Sequence, residues 1–325
     1  MLVFRTDASE KTGFGHLKRS VYLASLLKKK TGILFCVNNN KAAARYLEDR
    51  QTPYCWTKEL ASLAKIPTEI KSVVFDLAEF SVQDIEFLRW AKDNHIHTVQ
   101  VTDLGLSRQP VEFTVDASIE KLFPYDGEEQ VLSGPEYTLL HHKFRHFNKV
   151  QRKYRKHIKN IFISLGGGVE YRQLRKLIDW LDRRRYNIKT AAGFFMKKAG
   201  RKSLSRLYPR LRFVGKTDSL ARAFFEADAA IITAGVAAAE AAAVGAPALY
   251  LHYHGEQKFS AQTWEKHGAG LEIANIDDVL EENLIAILNS LTWEKRIAMG
   301  NKGKQLVDGS GAARIAAFFV EKGII

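Results

Sequence analysis

The chain lacks the features that define several large classes of proteins. It has only two cysteines in 325 residues, Cys36 and Cys55, too few for a disulfide framework or a cysteine-based metal site. No apolar run approaches the roughly 18 residues that cross a bilayer. Residues 1–5 lead directly into a strand-like run and lack the layout of a signal peptide. These absences predict a cytoplasmic protein whose two thiols are buried and inert.

Acidic residues are also scarce relative to basic ones. The net charge is +13, and between Lys143 and Lys159 there are eight lysines or arginines and no acid. Such an excess is compatible with an acidic partner, whether a nucleotide, a nucleic acid or an anionic membrane. Because no aromatic platform or nucleic-acid motif accompanies it, we interpret this segment as a solvated connection between domains and expect no nucleic-acid partner. A peripheral contact with a membrane or with another enzyme through the basic surface stays open.

Short β-rich runs alternate with helical patterns along both halves of the chain, which is long enough for two domains. Strands are predicted at 2–6, 33–37, 73–76, 98–102, 160–165, 212–214, 229–233 and 248–251. This alternation is typical of βαβ units and predicts an α/β fold with parallel sheets. We expect an N-terminal domain over 1–145, a basic linker over 146–158 and a C-terminal domain over 159–325, whose terminal helix packs back on the N-terminal domain.

The first candidate site follows the first predicted strand. Its residues are Arg5, Asp7, Gly13, Gly15, His16 and Arg19. Glycines let the backbone approach a ligand, and the free N–H groups of a helix start attract anions. His16 would place an imidazole at the predicted helix start, beside that anion site. The alternative is an ordinary Gly-rich turn that carries a surface histidine.

The second candidate site lies where a strand at 229–233 leads through a turn of small residues into an alanine-rich helix. Gly235 and Val236 would admit a diphosphate to the start of this helix. Glu240, the lone acid among small apolar residues, would accept hydrogen bonds from ribose hydroxyls. The alternative is a solvated carboxylate on a helix face.

Three histidine pairs could ligate a metal, because residues two apart on a strand share a face. They are His95 with His97, His141 with His142, and His252 with His254. No cysteine or paired carboxylate completes a site nearby, and the chain has no Asp-x-Asp motif of the kind that holds a divalent ion on a sugar diphosphate. We therefore predict that the protein uses no metal and no cofactor.

Taken together, these motifs resemble a known family over nearly the whole chain. The anchors are Arg5-x-Asp7, Gly13-x-Gly15-His16-x-x-Arg19, Phe75-Asp76, Leu165-Gly166-Gly167, Gly235–Glu240 with Gly245-x-Pro247, and Val307-Asp308-Gly309-x-Gly311-Ala312. The chain resembles the hydrolase of pseudaminic acid biosynthesis, which removes UDP from a diacetamido-trideoxy-altropyranose, and equally the related spore-coat polysaccharide biosynthesis proteins. More distantly it resembles the peptidoglycan N-acetylglucosaminyltransferase. The resemblance implies the GT-B fold, in which two Rossmann-like domains are separated by a cleft.

The resemblance also implies roles for single residues. His16 matches the catalytic histidine, with Asp7 and Arg19 beside it, and Glu240 matches the ribose-binding acid. The remaining substrate-binding matches are Arg5, Gly13, Gly15, Gly166 and Gly167; Val214 for the uracil edge; Gly235 and Val236 for the diphosphate; and Asp76 for the sugar.

The chain departs from the family on the sugar side. Leu77 and Ala78 follow Asp76 where the hydrolase has His-Tyr, and Gly168 and Val169 stand where it has Thr-Asp. These departures put the altropyranose in question more than the nucleotide.

Three functions follow from this reading. The first is hydrolysis of a UDP-sugar, with His16 taking a proton from water as it attacks the anomeric carbon, and with Arg5 and Arg19 as supplementary cations. The second is a metal-independent glycosyltransferase that passes the sugar to an acceptor. The third is a non-catalytic nucleotide-sugar-binding protein.

Overall fold

The chain forms two compact units, each with its own parallel sheet. The computed structural model describes residues 1–9, 13–63, 70–103, 109–120, 130–166, 171–191, 196, 198–214 and 217–325. Unit 1 comprises Met1–Leu140 and Ser310–Ile325, and unit 2 comprises His141–Gly309. The first boundary thus falls five residues before the expected end of the N-terminal domain, and the segment after Gly309 returns to unit 1.

Unit 1 is built on a sheet of seven described strands. They are β1 (Leu2–Thr6), β2 (Ile33–Val37), β3 (Tyr54–Trp56), β4 (Ser72–Asp76), β5 (His97–Thr102), β6 (Phe113–Asp116) and β7 (Gln130–Ser133). All are parallel to their neighbours, in the order β3-β2-β1-β4-β5-β6-β7. The order reverses between β1 and β4. In a doubly wound sheet, ligands bind outside the carboxyl ends of the strands at this point.

Helices cover this sheet. They are α1 (Gly15–Leu27), α2 (Lys41–Glu48), α3 (Leu60–Leu63), α4 (Val82–Asp93) and, from residues 310–325, α13 (Gly311–Glu321). Local sequence sets where they begin: the Asn40 side chain accepts from two N–H groups of α2, and Ser81 forms a capping box with Asp84 at α4. Helix α13 packs against α1, and the ring of Phe318 meets that of Phe113 edge-on at 5.5 Å. It therefore completes the core of unit 1.

Unit 2 repeats the architecture with six described strands. They are β8 (Asn160–Ser164), β9 (Asn187–Ala191), β10 (Leu211–Val214), β11 (Ala229–Thr233), β12 (Ala248–His252) and β13 (Leu271–Asn275). All are parallel to their neighbours, in the order β10-β9-β8-β11-β12-β13, so this order reverses between β8 and β11. Both sheets were expected to be parallel, and the prediction of two Rossmann-like domains is confirmed.

The helices of unit 2 are α5 (His142–Lys149), α6 (Tyr171–Arg183), α7 (Lys198–Leu207), α8 (Thr217–Glu226), α9 (Val236–Ala243), α10 (Gly255–Lys266), α11 (Glu281–Ser290) and α12 (Trp293–Leu306). The alanines of α9 are explained by its contact with α12. A Cβ atom at Gly303 would lie 2.8 Å from the Cα atom of Ala242, so only small residues allow the two helices to approach this closely.

No helix in the described residues is both long and apolar enough to span a membrane.

The basic segment that we expected to be a solvated linker is instead part of unit 2. Helix α5 begins at His142 and buries Phe144. The Arg152 guanidinium donates to the backbone carbonyls of Phe224, Ala227 and Val244. Its burial lowers the pKa of Arg152 to about 10. Arg152 therefore binds carbonyl groups of unit 2, whereas Lys149, Lys153 and Lys156 are exposed as expected. The expected linker over 146–158 is corrected in one respect: it belongs to unit 2.

Candidate functional site

The first site lies where the strand order of unit 1 reverses. Gly13 closes the loop after β1: it adopts a φ of +73° and its N–H donates to the Ser9 carbonyl at 2.8 Å. A positive φ favours glycine at this position. Helix α1 then begins at Gly15, which sets His16 in its first turn. Thr6 and Asp76 are register partners at the ends of β1 and β4, so His16 and Asp76 reach the same edge of the sheet.

His16 and Asp76 form a hydrogen-bonded pair. The His16 Nδ1 atom lies 2.7 Å from Asp76 Oδ1, and the imidazole is about one fifth exposed. Arg19 Nη2 lies 3.1 Å from the same Nδ1 atom. Nδ1 cannot donate to Asp76 and also accept from Arg19. We assign the proton to the Nδ1–Asp76 bond, because Asp76 is an acceptor that is ionised. In this tautomer the Nε2 atom of neutral His16 carries a lone pair and can act as a base.

Asp76 is fully buried and saturated with donors. Its carboxylate accepts from Arg19 Nε at 2.9 Å, Arg19 Nη2 at 2.6 Å and Ser20 Oγ at 2.7 Å, besides His16. Burial alone would raise the pKa of this carboxyl, but the charge of Arg19, followed by His16, holds it well below its usual range. Asp76 was expected to contact the sugar. With no exposed surface, it can instead hold the His16 imidazole in one tautomer and orientation.

The two arginines of this region are engaged in similar buried networks. Arg19 also bonds Asp103 at 2.6 Å. Arg5 bonds Asp84 at 2.5 Å and Asp7 at 3.0 Å. Burial would lower the pKa of either guanidinium, yet their carboxylate partners raise both well above the usual range. Arg5 and Arg19 were expected to serve as supplementary cations for substrate. Their burial and their ion pairs favour a structural role for both.

Asp7 was grouped with the catalytic residues. Its carboxylate accepts from the backbone N–H of Asn38 at 2.9 Å as well as from Arg5. Asp7 therefore joins the ends of β1 and β2, and this geometry supports a structural role for it.

The second site lies where the strand order of unit 2 reverses. Gly166 follows β8 with a φ of +76°, and a Cβ atom there would lie 3.6 Å from Thr233 Oγ1. Gly235 follows β11 and directly precedes α9. A Cβ atom on Gly235 would meet no described atom within 4 Å, so the start of this helix faces open space. Gly167, predicted to belong to this site, lies outside the described residues.

A half-buried strip continues from Gly235 along α9. It runs through Val236, Ala237 and Glu240, whereas the five other alanines of the helix are buried. Glu240 lies one turn along from Val236, so its carboxylate shares a side of the helix with the helix start. Val214 ends β10 and is also half-buried. The helix start with its N–H groups can bind an anion, and Glu240 can accept hydrogen bonds from hydroxyl groups.

One histidine of each pair bonds a partner outside the pair. His97 bonds Glu112 at 2.7 Å, His252 bonds Glu272 at 2.8 Å, and His141 accepts from a backbone N–H of α5. Among the described residues, no group of three histidines, cysteines, aspartates or glutamates is arranged to hold a metal ion.

Sequence reasoning missed Ser20 and Asp103. Asp103 directly follows β5, the strand beside β4. Its position was a usable signal, because the carboxyl ends of parallel strands meet at one edge of a sheet.

Comparison with known proteins defines the class of fold first. With two Rossmann-like domains, the chain has the GT-B fold, as predicted. MurG of Acinetobacter baumannii superposes with a TM-score of 0.71 at 16% identity, over 98% of this chain and 99% of that one. The UGT2 protein of Phytolacca americana, solved with UDP-2-fluoro-glucose and pterostilbene, superposes with a TM-score of 0.68 at 11% identity, over 99% and 98% of the two chains. LpCGTa, solved with UDP, has a TM-score of 0.66 at 14% identity, over 98% and 99%.

In sequence, the chain is similar to the spore coat polysaccharide biosynthesis protein SpsG of Bacillus subtilis (strain 168). The two are 26% identical over 327 residues, covering 96% of this chain and 95% of that protein. The predicted resemblance to the spore-coat proteins is thereby confirmed. No protein-family model matches the chain.

Proposed function

We propose that this protein acts on a UDP-sugar in the biosynthesis of a surface polysaccharide, with His16 as the general base at the anomeric carbon. The observation that carries the proposal is the His16–Asp76 pair at the switch point of unit 1. An ionised, fully buried carboxylate at 2.7 Å orients the imidazole and leaves its Nε2 atom to take a proton. The similarity to SpsG supports the polysaccharide context.

In the proposed reaction, a nucleophile attacks the anomeric carbon as its proton passes to His16 Nε2. The bond between that carbon and the diphosphate oxygen breaks, and UDP leaves with the electron pair. Asp76 stabilises the imidazolium that forms, as a buried carboxylate does in other histidine-based sites.

Unit 2 supplies the nucleotide-binding residues in this proposal. The diphosphate would bind at the start of α9 beside Gly235 and Val236, where backbone N–H groups stabilise the charge that develops on the leaving group. Glu240 would hold the ribose hydroxyls, and Val214 and Gly166 would line the nucleotide. The open space in front of Gly235 supports this assignment.

With water as the nucleophile, the protein is a UDP-sugar hydrolase, which is the function we favour from the resemblance to the pseudaminic acid pathway enzyme. The second candidate is transfer of the sugar to an acceptor hydroxyl. It is supported by solved neighbours such as UGT2, whose structure holds both UDP-2-fluoro-glucose and a second small molecule. His16 can accept the proton from water or from an acceptor hydroxyl.

The test is release of UDP from a panel of UDP-sugars, measured with and without polysaccharide and lipid-linked acceptors. Release from one UDP-sugar in water alone, at a rate that acceptors do not change, supports the hydrolase. Release that requires an acceptor supports the transferase. No release and no binding with any UDP-sugar would reject the proposal as a whole.

A further inference from the structure

The positive charge of the chain is concentrated in one segment. Residues 171–212 contain 14 lysines and arginines and two acids, Asp179 and Asp182. Their net charge of +12 nearly equals the +13 of the whole protein, and the other residues, with 35 basic and 34 acidic side chains, almost cancel. The excess is therefore a property of one region and not of the surface in general.

The segment forms helices α6 and α7, which lie on the same face of the unit 2 sheet. Their apolar sides join one buried core, through Leu177 and Ile178 of α6 and Leu204 of α7. The Tyr208 hydroxyl, just beyond α7, bonds Asp179 of α6, which ties the two helices together. Their polar sides therefore form one continuous outer surface, which we call the α6–α7 face.

Most of the charge on the α6–α7 face is not neutralised locally. Within the described ranges, several exposed basic side chains of this segment have no carboxylate within ion-pair distance, among them Arg172, Arg184, Arg185, Lys198, Lys202 and Arg206. The two acids are themselves engaged, Asp179 with Tyr208 and Asp182 with Arg210.

Helix electrostatics do not explain the arrangement. Cations are favourable at the carboxyl end of a helix and unfavourable at its start. Lys198 is the first residue of α7 and Arg172 the second of α6, so both stand at the wrong end for the helix dipole. The helix dipole therefore does not account for these two cations.

Two exposed apolar side chains accompany these cations. Leu207, at the end of α7, is 54% exposed, and Tyr171, at the start of α6, is 37% exposed. Basic residues with interspersed apolar ones fit the headgroup region of a bilayer, where cations meet anionic lipid and apolar side chains enter the acyl boundary. A nucleic acid would also use the cations, but it accepts an apolar side chain only where a base step is opened and the duplex kinked.

We propose that the α6–α7 face docks unit 2 on a membrane surface that contains anionic phospholipid. This inference does not depend on the sugar chemistry, and its test uses residues of α6 and α7 away from their starts.

The experiment is co-sedimentation of the full chain with phosphatidylcholine vesicles and with vesicles in which about a third of the lipid is phosphatidylglycerol. The wild type should bind only the second kind, and salt should weaken this binding. The triple variant Arg184→Glu, Lys202→Glu and Arg206→Glu should bind at least about tenfold more weakly. Leu207→Ser should weaken binding by about threefold through lost insertion.

A matched control is available in unit 1, where Lys28, Lys29 and Lys30 are exposed after α1. Reversing these three lysines to glutamate lowers the net charge to the same extent and should leave vesicle binding within about twofold of wild type. Thermal unfolding of every variant checks that it is folded. The proposal is overturned if the wild type does not bind anionic vesicles, or if the two triple variants lose vesicle binding to the same extent. It is also overturned if the wild type binds a DNA or RNA duplex in place of vesicles.

Discussion

The two sheets reverse their strand order in the same way, yet the residues at the two reversal points differ in kind. In unit 1 the carboxyl ends of β1, β4 and β5 carry His16, Asp76, Arg19 and Asp103, linked by hydrogen bonds shorter than 3.2 Å. In unit 2 the equivalent edge carries glycine and alanine, with Gly235 facing open space and Glu240 one turn further on.

This difference separates two tasks that a site can perform. A charged side-chain network fixes the protonation state of one imidazole, which suits proton transfer. A bare helix start offers backbone N–H groups and room, which suits an anion whose own charge needs compensation. Variants in unit 1 should therefore change the rate of the reaction, and those in unit 2 should change the affinity for nucleotide.

The largest effect should come from His16→Asn. This change keeps a polar side chain of similar reach but removes the base, and loss of a general base costs about 10²–10⁴-fold in rate. We expect kcat to fall by that factor while the affinity for UDP, measured by calorimetry, stays near the wild-type value. The matched control is His97→Asn, which removes another histidine bonded to a carboxylate and should leave kcat unchanged. Wild-type turnover by His16→Asn would show that His16 is not the base.

The next effect should come from Asp76→Asn. It leaves the buried Arg19 with one carboxylate instead of two, and breaking a buried ion pair costs about 3 kcal/mol in the free energy of unfolding. It should also lower kcat, because an amide no longer fixes the His16 tautomer. Asp84→Asn disturbs the comparable pair with Arg5 and should destabilise the protein without a similar loss of kcat. Equal losses of kcat in the two variants would show that the role of Asp76 is purely structural.

Binding of UDP should stabilise the protein against heat in the presence of a chelator. A ligand that binds only the folded state adds about 2.7 kcal/mol at a hundredfold excess over its Kd. The start of α9 and the lack of an Asp-x-Asp motif motivate this expectation. The readout is the shift in Tm with UDP, with uridine as the control that lacks the diphosphate. A shift that required Mg²⁺ or Mn²⁺ would contradict the metal-independent hypothesis.

A smaller effect is expected for Glu240→Ala. The ribose does not change charge during the reaction. Losing the contact between Glu240 and the ribose hydroxyls should therefore raise KM by about tenfold and leave kcat nearly unchanged. Glu282→Ala, at an exposed position in the first turn of α11, is the control and should change neither constant. A collapsed kcat with an unchanged KM would mean that the role of Glu240 is misassigned.

The smallest effect concerns acid stability. The pKa of Asp76 lies well below its ordinary value of 3.8 in the folded protein, so its ionisation stabilises the fold at higher pH, and this contribution is lost as the pH falls below about 4. The free energy of unfolding of Asp76→Asn should therefore fall less steeply than that of wild type over this acid range. Other carboxylates contribute alike to both proteins and cancel in the difference. Parallel acid curves for the two proteins would argue against a strongly stabilised Asp76.

The alternation of β-rich runs and helical patterns was sufficient to predict both parallel sheets. Buried strands such as β1, β4 and β11 each contain at least three consecutive apolar residues, and their bounds agree with prediction to within a residue. Five of the described strands were missed. Strands β3 and β7 have only three or four half-buried or exposed residues and little apolar pattern. Strands β6, β9 and β13 were missed because each is only four or five residues long and interrupts its apolar residues with polar ones. The segment around Arg152 was wrongly predicted to be a linker. Its sequence does not show whether an arginine donates to buried carbonyl groups or is solvated.

The sequence motifs identified His16, Asp76 and Arg19 as parts of one region but could not assign their partners. That Asp76 is buried depends on the register of β1 with β4, which brings Asp76 beneath α1. Contacts between residues 57 positions apart, as between Arg19 and Asp76, are set by tertiary packing and leave no local pattern. Ser20 was missed for the same reason, whereas Asp103 could have been found from its place directly after β5.

Helix α13 makes unit 1 discontinuous along the sequence. Unit 2 is continuous, from His141 to Gly309, whereas unit 1 needs residues 310–325 to cover α1 and to bury Ile315 and Phe319. Unit 2 can therefore fold from one continuous segment, whereas unit 1 needs two segments that lie at opposite ends of the sequence. A chain cut before Ser310 would therefore keep all of unit 2 but leave unit 1, which carries His16, without the helix that covers α1.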